Sequence, residues 1–319
     1  PKLLFTAPYS FFDDLLRQKI ESNFDVTFCY QAPKEVVKKL IVDSDAIFTS
    51  TCPPYFIEDD LFKNAANLRI VATPSTGTTH LDINAITKRG IQIISIKSSD
   101  IINSIYASSE YSFTLLLSMV NKLGLVLNSA KFGAWRENEE LFRSNELNGK
   151  TIGIIGFGRI GKMMARFSNA MGMNVVIYDP LVISNDTKVT QLDSKEELLI
   201  NSDIVSLHYH LTSETENSFN ADDFAIMKKG AFFLNTARAE LVDEEAMLES
   251  LSNGHLKGAA VDVITYEYMY DKWNHPVVKF SREHDNLVLS PHVAGLTIES
   301  ERKSANDIID QLIDYFENK

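Results

Sequence analysis

Short apolar runs alternate along the chain with segments whose apolar residues recur at helical spacing. Alternation of this kind predicts a parallel sheet covered by helices. In the first series, helices are expected from about Ser10, from about Lys34, near Ile57–Asn64 and near Ile83–Lys88. The strands of this series are predicted at Lys2–Ala7, Val26–Tyr30, Ala46–Thr49, Arg69–Ala72 and Ile91–Ile94.

A second series begins at Thr151 and predicts a second sheet. Its strands are expected at Thr151–Ile155, Asn174–Tyr178, Ile204–Leu207, Ala231–Leu234, Leu256–Val261 and Leu287–Leu289. A long helix over roughly Ser104–Asn128 precedes this series, and an amphipathic helix over about Ile298–Phe316 closes the chain. No low-complexity linker separates the two series, so the pattern predicts an α/β protein with two Rossmann-like parallel-sheet domains joined by long helices.

Length and composition agree with a globular enzyme of two domains. The 319 residues are 45% hydrophobic and 23% charged, and the net charge is −12. This charge argues against a nucleic-acid or anionic-membrane partner. Cys29 and Cys52 are the only cysteines. Pro1–Ala7 does not have the charged, apolar and cleavage-site segments of a signal peptide in order. No apolar stretch reaches the 18 residues of a membrane-spanning helix. These features predict a reducing, cytoplasmic setting.

A glycine-rich loop follows the strand Thr151–Ile155 and opens a helix. Gly156 is expected to make the turn, Gly158 to let phosphates approach the backbone, and Gly161 to let the helix pack on the strand. Backbone N–H groups and the positive end of the helix would then face a pyrophosphate. Asp179 lies 18 residues beyond Gly161, after the next strand, where its carboxylate can accept from a ribose 2′-hydroxyl. The negative charge there favours NAD over NADP.

Three side chains that could bind an anion or transfer a proton follow three later strands. Arg238, Glu267 and His292 come after Ala231–Leu234, Leu256–Val261 and Leu287–Leu289, at the carboxyl ends where ligands collect in such sheets. Arg238 can hold a carboxylate with two parallel hydrogen bonds, and His292 can exchange a proton near neutral pH. Glu267 can orient the imidazole and stabilise its protonated form. Each residue alone would be read as structural, but the trio beside a dinucleotide loop indicates a catalytic site.

With these motifs, the chain resembles the D-isomer-specific 2-hydroxyacid dehydrogenase family over essentially its whole length. The 29 residues from Arg238 to Glu267 and the 25 from Glu267 to His292 are similar to the spacing of the family's Arg, Glu and His. The matching segments are Leu147–Gly161, Asp203–His208, Asn235–Arg238, Gly258–Val263 and Ser290–Gly295.

The resemblance implies a role for each matching residue. Arg238 would bind the substrate carboxylate and carbonyl, His292 would be the acid/base, and Glu267 its partner. Arg159 and Ile160 would meet the pyrophosphate, and Asp262 would help to position the nicotinamide. The remaining cofactor contacts implied by the matching segments are His208, Thr236, Ala237, His292, Ala294 and Gly295. Backbone amides of the Ser75, Thr76 and Gly77 loop would help to hold the substrate carboxylate.

The resemblance also implies an architecture. A substrate-binding, flavodoxin-like domain would comprise residues 1–100 plus 296–319, and a dinucleotide-binding Rossmann domain residues 101–295. The active site would lie in the cleft between them, and the protein would be a homodimer. Ala239, Tyr268 and His210 depart from the family's usual residues, and the segment Asn103–Glu110 is one residue longer. The loop Tyr266–Trp273 is unusually aromatic and would pack or shape a pocket.

The favoured function is an NAD-dependent oxidoreductase that interconverts a 2-keto acid and a D-2-hydroxy acid. The alternative is a non-catalytic, NAD-responsive binding protein like the corepressors of this fold, although it would not need Arg, Glu and His together. A formate-type reaction is disfavoured because that relative has a Gln–His pair. The sequence does not identify the substrate side chain. No metal site is expected, and His80, His255, His275 and His284 are expected to be surface or structural residues without polar clusters.

Overall fold

The computed structural model describes residues 1–267 and 271–318, which form twelve strands and thirteen α-helices. The strands are β1 Lys2–Phe5, β2 Asp25–Phe28, β3 Ala46–Phe48, β4 Ile70–Thr73, β5 Gln92–Ser95, β6 Thr151–Ile155, β7 Asn174–Tyr178, β8 Thr190–Gln191, β9 Ile204–Leu207, β10 Ala231–Asn235, β11 Leu256–Val261 and β12 Leu287–Leu289. The helices are α1 Asp14–Asn23, α2 Lys34–Leu40, α3 Asp59–Phe62, α4 Ile83–Lys88, α5 Ala107–Val120, α6 Leu123–Lys131, α7 Glu139–Phe142, α8 Arg159–Ala170, α9 Lys195–Asn201, α10 Ala221–Ile226, α11 Glu244–Ser252, α12 Pro276–Glu283 and α13 Ile298–Glu317.

The chain divides into two compact units. Unit 1 comprises Pro1–Ile105 and Leu296–Lys319, and unit 2 comprises Tyr106–Gly295. Every strand pair in both sheets is parallel, so the predicted α/β class with two parallel sheets is confirmed.

Unit 1 contains a five-stranded sheet in the order β2-β1-β3-β4-β5. Its central strands are buried on both faces, because alternate residues enter two separate apolar clusters: Leu3 and Phe5 lie in one and Leu4 in the other. Helix α13 covers the first face with Ile308, Ile309 and Leu312. Strands buried on both faces appear in the sequence as unbroken apolar runs, which explains why their positions were predictable.

Unit 2 contains a seven-stranded sheet in the order β12-β11-β10-β9-β6-β7-β8. The strand order reverses at β6, which pairs with β9 on one side and with β7 on the other. Helices cover both faces, and α5 contributes Leu115, Leu116 and Met119 to the cluster on one of them. Parallel sheets of this kind bind ligands at the carboxyl ends of the strands beside the reversal. The two-residue strand β8 was not predicted.

The single long helix predicted over Ser104–Asn128 is wrong. The chain forms α5 and α6, and Lys122 between them has φ of +51°, in the left-handed region. The side chain of Asn121 hydrogen-bonds the carbonyl of Leu117 and ends α5 there. The apolar periodicity continues through this break, so periodicity alone did not reveal it.

Among the described residues, no single helix has the length and hydropathy needed to cross a bilayer. The consecutive helical segments Asp100–Val120 and Leu123–Lys131 together have the length and composition of a membrane span, but they are bent by 66° where they meet. Within this pair, one face of α5 lies in the core of unit 2.

Candidate active site

One row of paired residues crosses six strands of unit 2 at their carboxyl ends. Because the register is continuous, the residues that follow the row lie along one edge of the sheet. The row consists of Tyr178, Ile155, Leu207, Asn235, Val261 and Leu289. The next residues along the chain are Asp179, Gly156, His208, Thr236, Asp262 and Ser290. Five of these six were predicted from the sequence to be site residues.

The glycine loop is built by close backbone packing. Gly156 has φ of +91°, and a Cβ there would lie 2.6 Å from the backbone of His208. A Cβ on Gly161 would lie 2.2 Å from the carbonyl oxygen of Gly156. Neither position therefore accepts a side chain without moving backbone atoms, which agrees with the turn and packing roles inferred from the sequence.

Gly158 differs from its two neighbours in the motif. A Cβ placed on it would meet no described atom within 4 Å, so protein packing does not require glycine there. Gly158 is the N-cap of α8 and supplies no capping side chain, and the first turn of α8 contains no acidic residue. The first turn instead holds Arg159, and burial lowers the pKa of this guanidinium without removing its charge. Uncapped amides and a cation at a helix N-terminus suit an anion such as a pyrophosphate.

Asp179 is bonded to the glycine loop. Its Oδ2 accepts from the backbone N–H of Phe157 at 2.7 Å. Its Oδ1 accepts from the N–H groups of Leu181 at 2.8 Å and Val182 at 3.2 Å. Three backbone amides thus orient the Asp179 carboxylate at the end of β7. The side chain of Ile160, in the first turn of α8, packs against the apolar core of unit 2.

His208 lies between the glycine loop and the next strand of the row. Its backbone N–H donates to the carbonyl of Ile155 at 2.7 Å, and its Nε2 lies 2.6 Å from the hydroxyl of buried Ser206. Burial lowers the pKa of His208 to about 3, so its imidazole is neutral at neutral pH. A neutral ring at this position adds no positive charge beside the dinucleotide loop.

Glu267 and His292 form a direct pair. Nδ1 of His292 lies 2.7 Å from Oε2 of Glu267, and their side chains are 26% and 17% exposed. With an ionised carboxylate as acceptor, Nδ1 carries the hydrogen and donates it. The ring then keeps Nε2 for other partners, and within residues 1–267 and 271–318 no group hydrogen-bonds to that atom.

Asp262 holds the turn that carries His292. Its Oδ1 accepts from the Ser290 hydroxyl at 2.5 Å and the Val293 N–H at 3.0 Å, and its Oδ2 accepts from the Ala294 N–H at 2.8 Å. The backbone N–H of His292 donates to the carbonyl of Asp262 at 2.8 Å. His292 has φ of +56°, a conformation that costs energy for a non-glycine residue. The fully buried Asp262 carboxylate stabilises this turn.

Arg238 lies on a loop fixed by Asn235. The Asn235 amide donates to the Arg238 carbonyl at 2.8 Å and accepts from the Ala237 N–H at 3.0 Å. The half-buried Arg238 guanidinium donates to the Ala237 carbonyl at 2.6 Å. Within residues 1–267 and 271–318, no carboxylate forms an ion pair with it. Thr236 is bonded through its hydroxyl to Ser112 of α5 at 2.6 Å, a contact that the sequence did not reveal.

The predicted substrate loop belongs to unit 1 and follows β4. Thr73, at the end of that strand, places its hydroxyl 3.1 Å from Nε2 of His80, and both residues are buried. This bond joins the two ends of the segment that contains Ser75, Thr76 and Gly77. Their predicted contact with a carboxylate stays a prediction.

Sequence reasoning missed a polar cluster next to Glu267. The expectation that His275 has no polar cluster is wrong, because it lies beside Glu244 and Thr265. The only sequence signal was Asp243-Glu244 at a helix start, which reads as ordinary capping. Part of the aromatic loop predicted to pack or shape a pocket lies outside the described residues, at 268–270.

A comparison with protein families matches residues 113–294 to the D-isomer-specific 2-hydroxyacid dehydrogenase, NAD-binding domain. The glyoxylate reductase of Thermofilum pendens is 34% identical over 281 residues, covering 85% of this chain and 78% of that protein. The D-3-phosphoglycerate dehydrogenase of Bacillus subtilis is 30% identical over 312 residues, 95% of this chain but 55% of that protein, so the chain spans about half of that relative. A crystal structure of a Thermus thermophilus protein, TT0316, has a TM-score of 0.83 and 30% identity, covering 100% of this chain and 98% of that one.

The fold and the strand-end site define a dinucleotide-binding α/β protein of the dehydrogenase class. The chain belongs to the D-isomer-specific 2-hydroxyacid dehydrogenase family, and unit 2 contains that family's NAD-binding domain. The family and the NAD cofactor predicted from the sequence are confirmed.

Proposed function

We propose that this protein reduces a 2-keto acid to a D-2-hydroxy acid with NADH, or runs the reverse oxidation. The observation that carries the proposal is the Glu267–His292 pair, held at the sheet edge that also carries the dinucleotide loop. A binding protein would need the loop but not a polarised imidazole beside it. The names of the relatives, a glyoxylate reductase and a D-3-phosphoglycerate dehydrogenase, agree with a small acid as substrate.

The glycine loop fits the dinucleotide. The open side of Gly158, the uncapped start of α8 and Arg159 would hold the pyrophosphate, and Asp179 would accept from the ribose hydroxyls. A second negative charge, as in NADP, would be repelled by Asp179. When bound, the nicotinamide supplies or receives the hydride.

His292 moves the proton. Glu267 accepts the Nδ1 hydrogen, which fixes the ring orientation and stabilises the imidazolium. Nε2 can then donate a proton to the oxygen that becomes the substrate hydroxyl, or remove it in the reverse direction. Asp262 keeps the ring in place through the turn on which His292 lies.

Arg238 selects the substrate. Its guanidinium is half-buried without a carboxylate partner among the described residues, although a buried cation normally requires one. A substrate carboxylate would supply that partner with two parallel hydrogen bonds. Negative charge developing on the neighbouring oxygen would be stabilised by the same group.

The direct test is NADH oxidation with a panel of 2-keto acids that includes glyoxylate, hydroxypyruvate and pyruvate. We expect turnover with at least one acid, a D-configured product, and loss of about a hundredfold in kcat for His292→Ala, since general acid catalysis contributes at least that much. NADH affinity should change little. NADH binding with no turnover on any acid would instead favour the corepressor-like alternative.

We also propose that the protein is a homodimer that associates through the segment around α6. No residue of this helix is buried, and Leu127, Phe132 and Trp135 are among the exposed apolar side chains in and after it. Several large exposed apolar side chains in one segment favour association through that segment, and a two-fold dimer is the commonest assembly. Light scattering should report a dimer, and Phe132→Asp with Trp135→Asp should yield a monomer; a monomeric parent protein would refute this.

A reducing, cytoplasmic setting is part of the same proposal. The 319 residues contain only two cysteines, Cys29 and Cys52, too few for the disulfide framework common in secreted proteins.

A further inference from the structure

Glu244, Thr265 and His275 form a partly buried polar cluster beside the loop that carries Glu267. Oε1 of Glu244 accepts from the Thr265 backbone N–H at 3.0 Å, and Oε2 accepts from the Thr265 hydroxyl at 2.6 Å. Nε2 of His275 lies 3.3 Å from the same hydroxyl and 3.7 Å from Oε2 of Glu244. The Glu244 and His275 side chains are only 16% and 13% exposed.

The hydrogen positions in the cluster follow from its geometry. Nδ1 of His275 accepts from the Val277 N–H at the start of α12, so a neutral ring carries its hydrogen on Nε2. That hydrogen points to the Thr265 hydroxyl, which in turn donates to Glu244. Burial raises the pKa of Glu244, while the Thr265 bonds and nearby His275 favour its charged form. The three groups thus form one directed chain of hydrogen bonds.

The cluster closes both ends of the loop that carries Glu267. Thr265 lies two residues before Glu267, and His275 lies eight residues after it. Between Thr265 and Glu267 the chain passes through Tyr266, which has φ of +54°. A non-glycine residue keeps a left-handed conformation only where neighbouring contacts enforce it. The two bonds from Thr265 to Glu244 supply such contacts on one side, and the bond from Glu267 to His292 supplies one on the other.

We propose that Glu244, Thr265 and His275 are positioning residues that hold the Glu267 carboxylate against Nδ1 of His292. This inference rests on the proposed function, since it assigns the cluster to the acid/base pair. Each member of the pair is then held by a second carboxylate. Asp262 accepts hydrogen bonds from the turn that contains His292, and Glu244 accepts one from the backbone just before Glu267.

The test uses a matched set of variants in the full-length protein. Thr265→Val keeps the shape and the backbone bond but removes the hydroxyl, whereas Thr265→Ser keeps the hydroxyl. Leu251→Ala removes buried apolar contacts near the end of α11, seven positions after Glu244, and controls for general destabilisation. For Thr265→Val we expect kcat to fall by about three- to tenfold, because small displacements of a catalytic group are costly.

Two readouts separate positioning from mere stability. In Thr265→Val, the alkaline limb of the pH–rate profile for keto-acid reduction should move to lower pH. The KM for NADH should stay within about twofold of the parent value. Thr265→Ser, which keeps the hydroxyl, should have the same profile as the parent protein. In a Glu267→Gln background the Thr265→Val change should cost less than about twofold, because coupled residues are not additive. Loss of stability without a shifted limb, or the full Thr265→Val effect in the Glu267→Gln background, would overturn the proposal.

The NMR signal of the Nδ1 proton of His292 in the cofactor-free protein tests the inference without turnover, because this proton lies in the hydrogen bond to Glu267. The signal should weaken or move upfield in Thr265→Val but not in Leu251→Ala. An unchanged signal in Thr265→Val would overturn the positioning role even if keto acids are reduced. A changed signal in a protein that reduces no acid would support the positioning role while refuting the proposed function.

Discussion

Nδ1 of His292 and Oε2 of Glu267 lie 2.7 Å apart, although 25 residues separate them in the sequence. The backbone is in the left-handed region on both sides of this contact. His292 itself has φ of +56°, and Tyr266, which precedes Glu267, has φ of +54°. Two carboxylates, Asp262 and Glu244, bond to the flanking residues. Hydrogen bonds on both sides thus hold the pair in place, which suits the general acid role that we propose for His292.

Glu267→Gln should move the alkaline limb of the pH–rate profile for keto-acid reduction to lower pH. The neutral amide offers no negative charge to the protonated ring, and reduction needs the protonated form. Steady-state rates between pH 5 and pH 10 measure the shift. Glu283→Gln, on the exposed end of α12, should leave the profile unchanged. An unshifted limb in Glu267→Gln would show that the carboxylate is not coupled to proton transfer.

Arg238→Lys should lower kcat and raise KM for the keto acid, together costing about tenfold or more in kcat/KM, because a point charge replaces two parallel hydrogen bonds. NADH binding, measured by fluorescence titration, should be retained. Arg166→Lys, at an exposed position of α8, is the matched control. Full activity of Arg238→Lys, or an aldehyde as good as the best keto acid, would contradict the 2-hydroxyacid assignment.

The glycines of the loop should separate into two classes. Gly158→Ala has space within the protein, so we expect a folded variant with NADH affinity reduced by about tenfold or more through contact with the phosphates. Gly161→Ala places its methyl group against the Gly156 carbonyl and should lose stability by about 1 to 3 kcal/mol or fail to fold. Thermal unfolding and NADH titration measure the two effects. Equal loss of stability in both variants would be inconsistent with a phosphate role for Gly158.

NADH should be preferred over NADPH by about tenfold or more in kcat/KM, which corresponds to about 1.4 kcal/mol. Asp179→Asn keeps an acceptor for the amide of Phe157 but removes the negative charge, so it should narrow the preference. Asp193→Asn, an exposed residue of the same unit, should not change it. Comparable use of both cofactors by the parent protein would refute the assignment of Asp179.

His208 should make the folded state less stable as the pH falls. Its pKa is about 3 when folded and near 6.5 when unfolded, so below pH 6.5 only the unfolded chain takes up the proton. The free energy of unfolding should therefore drop by up to about 2 kcal/mol between pH 6.5 and pH 5 through this residue. His208→Gln should lose that part of the pH dependence in urea unfolding, whereas His210→Gln, which is exposed, should retain it. Identical pH dependence in His208→Gln and the parent would argue against an imidazole that stays neutral in the folded state.

The sequence by itself determined six of the seven strands of unit 2 and the edge on which the site lies. Five predicted strands, among them Thr151–Ile155 and Leu256–Val261, have the bounds found in the structure. Strands buried on both faces are mostly apolar, so most of the runs end where the strands end. The first polar or glycine residue after each run, such as Gly156, Asp179 or Asp262, then lies at the carboxyl edge.

The tertiary structure decided how those residues are held. Nothing in the sequence indicates that Asp262 bonds the turn of His292, or that Glu244 bonds Thr265. These carboxylates bond to groups 21 to 32 positions away, and no periodic pattern marks such contacts. The break at Lys122 was hidden for a related reason, since helical periodicity continues through it. Apolar periodicity records which face of an element is buried, whereas the hydrogen bonds of buried polar groups depend on which segments the fold brings together.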